Sequence, residues 1–60
     1  MRKIHEVTGP KGTAKIYRDA EWQEYRVKFF TPEGEHLKEA DHHTDDKGDA
    51  KQTAETWANS

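Results

Sequence analysis

Cationic and aromatic side chains alternate through the middle of this sequence. Five of them fall at alternate positions of two neighbouring segments: Lys15, Tyr17, Arg26, Lys28 and Phe30. Residues two apart on an extended strand point to the same side, so paired strands would gather these side chains on one surface. Cations pair with phosphates or carboxylates, while aromatic rings stack on bases or anchor protein contacts. The pattern therefore predicts a partner-binding surface.

Trp22 extends this pattern towards the N-terminus. By alternation it lies on the side of Arg26 and Lys28, if the strand begins that early, and beside Tyr17 and Phe30 it would be an interface anchor. A lid over the end of the core is the alternative. For the surface as a whole, three interpretations stay open: contact with a protein or a second copy of the chain, contact with nucleic acid, and an ordinary solvated face with Lys and Arg stems lying over aromatic rings.

Histidine and aspartate cluster between residues 36 and 46, and imidazole with carboxylate is a common zinc ligand set. However, the adjacent His42 and His43 point to opposite sides of a strand. Calcium-loop spacing fails as well, because His43 and Lys47 stand where acids belong. We therefore predict no metal site and no cofactor, and interpret the run as a polar corner that caps a helix. His36, His42 and His43 are candidates for a pH-sensitive local stability.

Catalytic patterns are missing from the sequence. There is no cysteine and no glycine-rich phosphate loop, and the threonines nearest a histidine, Thr31 and Thr44, stand in turn and helix-cap sequence. The paired Asp45 and Asp46 suit the start of a helix. Because so short a chain has difficulty enclosing a dry pocket, we predict a protein that is not an enzyme and has no small-molecule substrate.

Size and composition limit the fold. Sixty residues make one domain, 1–60, and of the eighteen hydrophobic residues six are alanine. No disulfide can form without cysteine, so close packing or a partner subunit has to supply the stability that a small core lacks. No apolar run is long enough for a membrane span and no signal-peptide pattern stands at the start, so we expect a soluble cytoplasmic protein without membrane contact.

Charge divides unevenly along the chain. Residues 1–30 carry seven Lys or Arg against four acids, a net +3, whereas residues 31–60 carry three Lys against eight acids, a net −5. The net charge of −2 weighs against tight phosphate binding. The asymmetry predicts a bipolar molecule that can steer a charged partner.

Alternation of apolar and polar residues predicts the strands that position these residues. The central strand carries Tyr25, Val27 and Phe29 on its core side, residues 13–18 form its neighbour, and residues 3–7 are a weaker candidate. Glycine and proline between residues 8 and 12 predict a tight turn. A Thr31-Pro32-Glu33-Gly34 turn should lead into a short edge strand or a bulge over roughly residues 35–40.

A helix of about fourteen residues should begin at Thr44-Asp45-Asp46. Its narrow apolar face, Ala50, Thr53, Ala54 and Trp57, suits close packing on the sheet. The predicted fold class is thus α+β, with a three- to four-stranded antiparallel meander and one C-terminal helix packed on one face.

Two resemblances follow from these elements. The element order over residues 13–58 resembles the AP2-type and integrase arm-binding domains, which lay a three-stranded sheet in the DNA major groove and read bases with cationic and aromatic residues. The strand Trp22–Phe29, the Pro-Glu-Gly turn and the Thr-Asp-Asp helix start are together similar to small uncharacterised proteins of marine tailed phages, cyanophages among them. That similarity implies an accessory protein made in an infected cell, with no activity or site residues attached to it.

Overall fold

Four strands and one α-helix build the molecule in the computed structural model, which describes residues 2–60. The elements are β1 (Arg2–Gly9), β2 (Gly12–Asp19), β3 (Glu24–Phe30), β4 (His42–Thr44) and α1 (Lys47–Ala58). The strands pair antiparallel in the order β1-β2-β3-β4, and α1 packs on one side of the sheet. The predicted α+β meander with its C-terminal helix is confirmed.

The core lies between α1 and the inner face of the sheet, by which we mean the face that the helix covers. Alternation along β3 buries Val27 and Phe29, and Ile16 of β2 is buried beside them. From the helix side, Ala50, Ala54 and Ala58 are fully buried at a spacing of four residues. Since alanine side chains are short, this stripe lets the helix lie close to the sheet. The sequence predicted this for Ala50 and Ala54, but it did not place Ala58 on the buried face.

Trp57 closes the core at the C-terminal end of α1. Its ring lies 4.7 Å from that of Phe29, centroid to centroid, at an interplanar angle of 43°. Tilted aromatic pairs at this distance stabilise by about 0.5–1.5 kcal/mol beyond their buried area. Lys11 covers Trp57, with its Nζ 5.3 Å from the ring centroid. The helix is thus fixed to β3 by the largest side chain it carries.

The turn between β1 and β2 contacts the C-terminal end of the helix. A Cβ atom added at Gly9 would collide with the carbonyl oxygen of Ala58, and one added at Gly12, where φ is +147°, would collide with that of Phe30. The amide of Lys11 donates a hydrogen bond of 3.2 Å to the Ala58 carbonyl. Glycine is required here because two backbones approach each other closely.

β1 is a full strand of eight residues, longer than the weak pattern at 3–7 predicted. Pairing with β2 supplies the stability that the few apolar residues of β1 do not provide, because cross-strand contacts outweigh intrinsic strand preference. The pairing register shifts between Lys3 and His5, so that Ile4 forms a β-bulge and stays 36% exposed.

The turn after β3 is confirmed. The amide of Gly34 donates to the carbonyl of Thr31 at 2.8 Å, and Gly34 adopts a left-handed φ of +93°.

The edge strand predicted for residues 35–40 is wrong in position. His36 makes a single bridge to Phe30, Lys38–Ala40 form a 3₁₀ turn, and the fourth strand is His42–Thr44. Residues 38–40 lack an alternating pattern, and the chain turns there after Leu37 has packed against the core.

α1 begins slightly later than predicted and contains twelve residues. Asp46 is its N-cap, and its carboxylate accepts hydrogen bonds from the amides of Gly48 and Asp49 at 2.8 and 3.3 Å. Thr44 stays in β4, where its hydroxyl accepts from the Asp46 amide. In the described part of the chain, no helix is both long and apolar enough to cross a membrane.

The two tryptophans allow a direct test of the core. Trp57→Ala should lower the free energy of unfolding by about 3 kcal/mol, because it removes a half-buried aromatic side chain from a small core. Trp22→Ala should change it by less than about 0.5 kcal/mol, since Trp22 is 70% exposed. Urea unfolding followed by circular dichroism measures both, and equal losses would contradict the packing described here.

The close approach at Gly9 predicts a local effect. Gly9→Ala should cost about 1–3 kcal/mol of stability by overpacking, and should speed hydrogen exchange at the Lys11 amide by separating it from Ala58. Gly34→Ala is the control, because its added Cβ meets no atom within 4 Å. Its cost arises from the left-handed backbone alone, so exchange at Lys11 measured by NMR should stay unchanged in this variant.

Candidate binding surface on the outer face of the sheet

The outer face, opposite to α1, brings together five of the six residues predicted to bind a partner. The register of β2 and β3 sets Lys15 opposite Lys28 and Tyr17 opposite Arg26, while Phe30 lies at the end of the same face. All five side chains are half-exposed. The helix covers the opposite face, so the surface predicted from alternation exists as one patch.

Two lysine–aromatic contacts occupy the middle of this face. The Nζ of Lys15 lies 4.7 Å from the ring centroid of Phe30, and the Nζ of Lys28 lies 5.1 Å from that of Tyr17. Each contact runs diagonally from one strand to the other, and each is within the distance at which a cation is attracted to a ring face. These four residues are called the lysine–aromatic surface below.

Within the described part of the chain, the two ammonium groups of this surface take part in no salt bridge. Among residues 2–60, no carboxylate oxygen lies within 4.0 Å of either lysine nitrogen. Glu6 stands opposite Lys15 in the register, but its carboxylate accepts from Lys3 at 3.1 Å. Lys15 and Lys28 are therefore opposed in the register without a carboxylate partner among the described residues, and each directs its ammonium group away from the other, over its own ring.

Arg26 differs from the lysines because its charge is neutralised. Its Nε donates to Glu24 at 2.9 Å, and its guanidinium lies 3.7 Å from Asp19. His43 of β4 approaches the same Glu24 carboxylate at 4.0 Å. The sequence pattern missed these acids because it ended the β2 strand at residue 18, whereas the strand runs to Asp19 and pairs it with Glu24. Arg26 thus belongs to an ion-pair network at one end of the outer face.

Trp22 lies apart from the lysine–aromatic surface. It stands in the turn between β2 and β3, where Asp19 Oδ1 accepts from its amide at 3.4 Å and Gln23 takes a left-handed φ of 51°. With 70% of its surface exposed, it is not a lid over the core. It also cannot lie beside Phe30 as predicted, because β3 separates them, and a strand of this length spans roughly 20 Å.

The three histidines between residues 36 and 46 lie in three different places, and His42 and His43 point to opposite sides of β4 as their spacing predicted. His36 stacks on the Phe30 ring at 5.0 Å and contacts Asp41 at 2.9 Å. His43 pairs with Arg26 on the outer face, while His42 points to the helix. Within the described residues, no three His, Cys, Asp or Glu side chains converge on a point where a metal ion could sit.

His42 and Asp49 join β4 to the first turn of α1. An ionised carboxylate only accepts hydrogen bonds, so His42 Nε2 donates to Asp49 Oδ2, at 3.1 Å. This hydrogen bond, with a second one from Thr44, holds the pKa of Asp49 below its ordinary value. The helix N-terminus also favours negative charge at this position. The ionised form of Asp49 therefore fastens the short fourth strand to the helix.

No known protein family, curated protein or solved structure matches this chain. The resemblances to marine phage proteins and to AP2-type domains accordingly stay predictions. Chemically, the outer face carries two ammonium groups over two aromatic rings, and neither ammonium group forms a salt bridge with any of the residues 2–60.

Acid should weaken the contact between β4 and α1. Because the pKa of Asp49 is lower in the folded state, its stabilising contribution is complete above about pH 4 and is lost as the pH falls through the folded-state pKa. Asp49→Asn should therefore be less stable than the wild type at pH 6, with the difference shrinking towards pH 2. Urea unfolding across this range measures it. Asp45→Asn, which lies outside the His42–Asp49 contact, is the control, and a difference that grows in acid would contradict the assignment.

Proposed function

We propose that the chain is a non-catalytic binding module that holds an acidic segment of a protein partner on its lysine–aromatic surface. The observation that carries the proposal is the opposed pair Lys15 and Lys28. The Cβ atoms of directly opposite residues on paired strands stand about 5 Å apart, and from there the two lysine side chains run in opposite directions, Lys15 to Phe30 and Lys28 to Tyr17. Among the described residues neither nitrogen has a carboxylate within 4.0 Å, so two acidic side chains of one extended segment would each pair with one ammonium group.

The aromatic rings beneath the lysines support a protein partner. Tyr17 and Phe30 are half-exposed, and tyrosine and phenylalanine are enriched in protein interfaces, where they supply apolar area with little loss of side-chain entropy. The lysine stems add further apolar surface around the rings. A partner segment that alternates acidic and apolar side chains would match both components. The resemblance to phage accessory proteins would make this partner a protein of the host cytoplasm.

A nucleic acid is the alternative ligand for the same face, and two observations favour the protein. First, only two cations of the lysine–aromatic surface are free for phosphates, whereas tight nucleic-acid binders make about 6–10 such contacts. Second, the rings on which bases would stack are already in contact with Lys28, Lys15 and His36. Bases would have to displace these groups before they could stack.

A second copy of the chain is a poor ligand for the lysine–aromatic surface itself. Two such surfaces brought face to face would bring the lysines of the two copies together, and like charges repel each other. The partner bound here should therefore carry the opposite charge.

Charge reversal tests the proposal. The probe is a fluorescein-labelled peptide of alternating glutamate and valine, with its binding followed by fluorescence anisotropy. Lys15→Glu combined with Lys28→Glu should weaken the affinity at least about tenfold, which corresponds to roughly 1.4 kcal/mol. Lys47→Glu combined with Lys51→Glu changes the net charge equally on the helix and should alter affinity less than about threefold.

A single-stranded oligonucleotide separates the alternative. With two phosphate contacts, the logarithm of its affinity should fall with a slope of about −1.4 against the logarithm of salt concentration, so that a fourfold rise in salt costs about sevenfold in affinity. A much steeper slope, with tighter binding than the peptide shows, would favour nucleic acid. Peptide binding that is unaffected by reversing Lys15 and Lys28 would refute the proposed surface.

A further inference from the structure

Strand β1 leaves one long edge of the sheet open. The opposite edge, β4, has three residues, whereas β1 has eight and pairs only with β2 among the described residues. Unpaired backbone groups on an edge strand are a template for another strand. The bulge at Ile4 and the cations Arg2 and Lys3 protect the first half of β1, because bulges and lysines are devices that block edge pairing. Residues 5–9 have neither.

We propose that the chain forms a two-fold symmetric dimer in which residues 5–9 of β1 pair antiparallel with the same residues of a second copy, about an axis at Val7. The result is one continuous eight-stranded sheet. Both helices lie on one side of it and both outer faces lie on the other. This inference does not rest on the function proposed above, because it uses a different surface.

The register follows from charge and from side-chain direction. A two-fold axis at Glu6 would set two glutamates against each other, which destabilises a strand pair. An axis between two residues would oppose an inner-face residue to an outer-face one. An axis at Val7 opposes Val7 to itself, Glu6 to Thr8 of the second copy and His5 to Gly9, so that no like charges meet.

Val7 also gains burial in this arrangement. It is half-buried and packs against the rim of the core, and the axis would place a second Val7 beside it on the helix side of the sheet. A chain of this size has few apolar contacts of its own, and small domains commonly gain stability by oligomerisation.

The helices leave room for the dimer. α1 packs most extensively over β2, and the β2 strands of the two copies would lie three strand spacings apart, about 14 Å. Packed helices approach to about 8–10 Å, so the two copies of α1 would not collide. Pairing should also stop at two copies, since the remaining edges are the short β4 strands. Five paired residues a side make a small interface, so we expect a dissociation constant that is micromolar or weaker.

Opposite charges at Thr8 test the register. Thr8 is exposed, and in the dimer it would face Glu6 of the second copy. Thr8→Lys should tighten dimerisation and Thr8→Glu should weaken it, each by roughly two- to thirtyfold through two symmetric contacts. Sedimentation equilibrium from about 10 μM to 1 mM measures the dissociation constant of the 7.0 kDa chain, and circular dichroism checks that both variants fold. A wild-type monomer at 1 mM, or equal shifts in the two variants, would overturn the proposal.

Crosslinking gives an independent readout because the chain has no cysteine. In Val7→Cys the two thiols would stand directly opposite each other, close enough for a disulfide. In Glu6→Cys they would lie about 7–8 Å apart along the diagonal. Oxidation should therefore form covalent dimer at least several times faster in Val7→Cys. Equal rates would refute an axis at Val7, even if a dimer forms.

Discussion

The close approach of the helix to the sheet is the constraint on which the rest of this structure depends. A chain with few large apolar residues gains the most dispersion contacts when backbones come near each other, and alanine and glycine permit that. Ala50, Ala54 and Ala58 remove the bulk from one side of the contact, and Gly9 removes it at the hairpin. Trp57 then packs its large ring against Phe29 at the end of the helix. A larger side chain at any of the small positions would separate the two layers.

This constraint also determines where function can reside. Because the helix occupies the inner face, the outer face is the broad surface left for a partner. Its charges are arranged unevenly: at one end Arg26 is matched by Asp19 and Glu24, and in the middle Lys15 and Lys28 have no salt-bridge partner among the described residues. Compensated charges contribute mainly to the local geometry, whereas uncompensated ones favour an external anion. The positive charge of the lysine–aromatic surface is therefore not neutralised by acidic side chains of the described residues.

Period-2 alternation was enough to predict the sheet, its two faces and five of the six surface residues, because side-chain direction in a strand depends only on position along it. The helix and its cap followed from local sequence as well. The errors lie where pairing between distant segments determines the secondary structure. The fourth strand is at His42–Thr44, β1 extends beyond its weak pattern, and Trp22 belongs to a turn. Likewise the ion pairs of Arg26 depend on how Asp19 and Glu24 align across strands, and that alignment is not encoded in either segment alone.

The order of the elements along the chain has a consequence for biosynthesis. The first three strands leave the ribosome before α1, so nascent chains expose the apolar row of Ile16, Val27 and Phe29 until the last helical turn emerges. The hairpins can form early because their contacts are local, but the helix residues that cover their apolar face lie roughly 20 to 40 positions downstream. We therefore expect the core to be completed only when the helix docks, and a chain interrupted before α1 would leave this apolar row exposed.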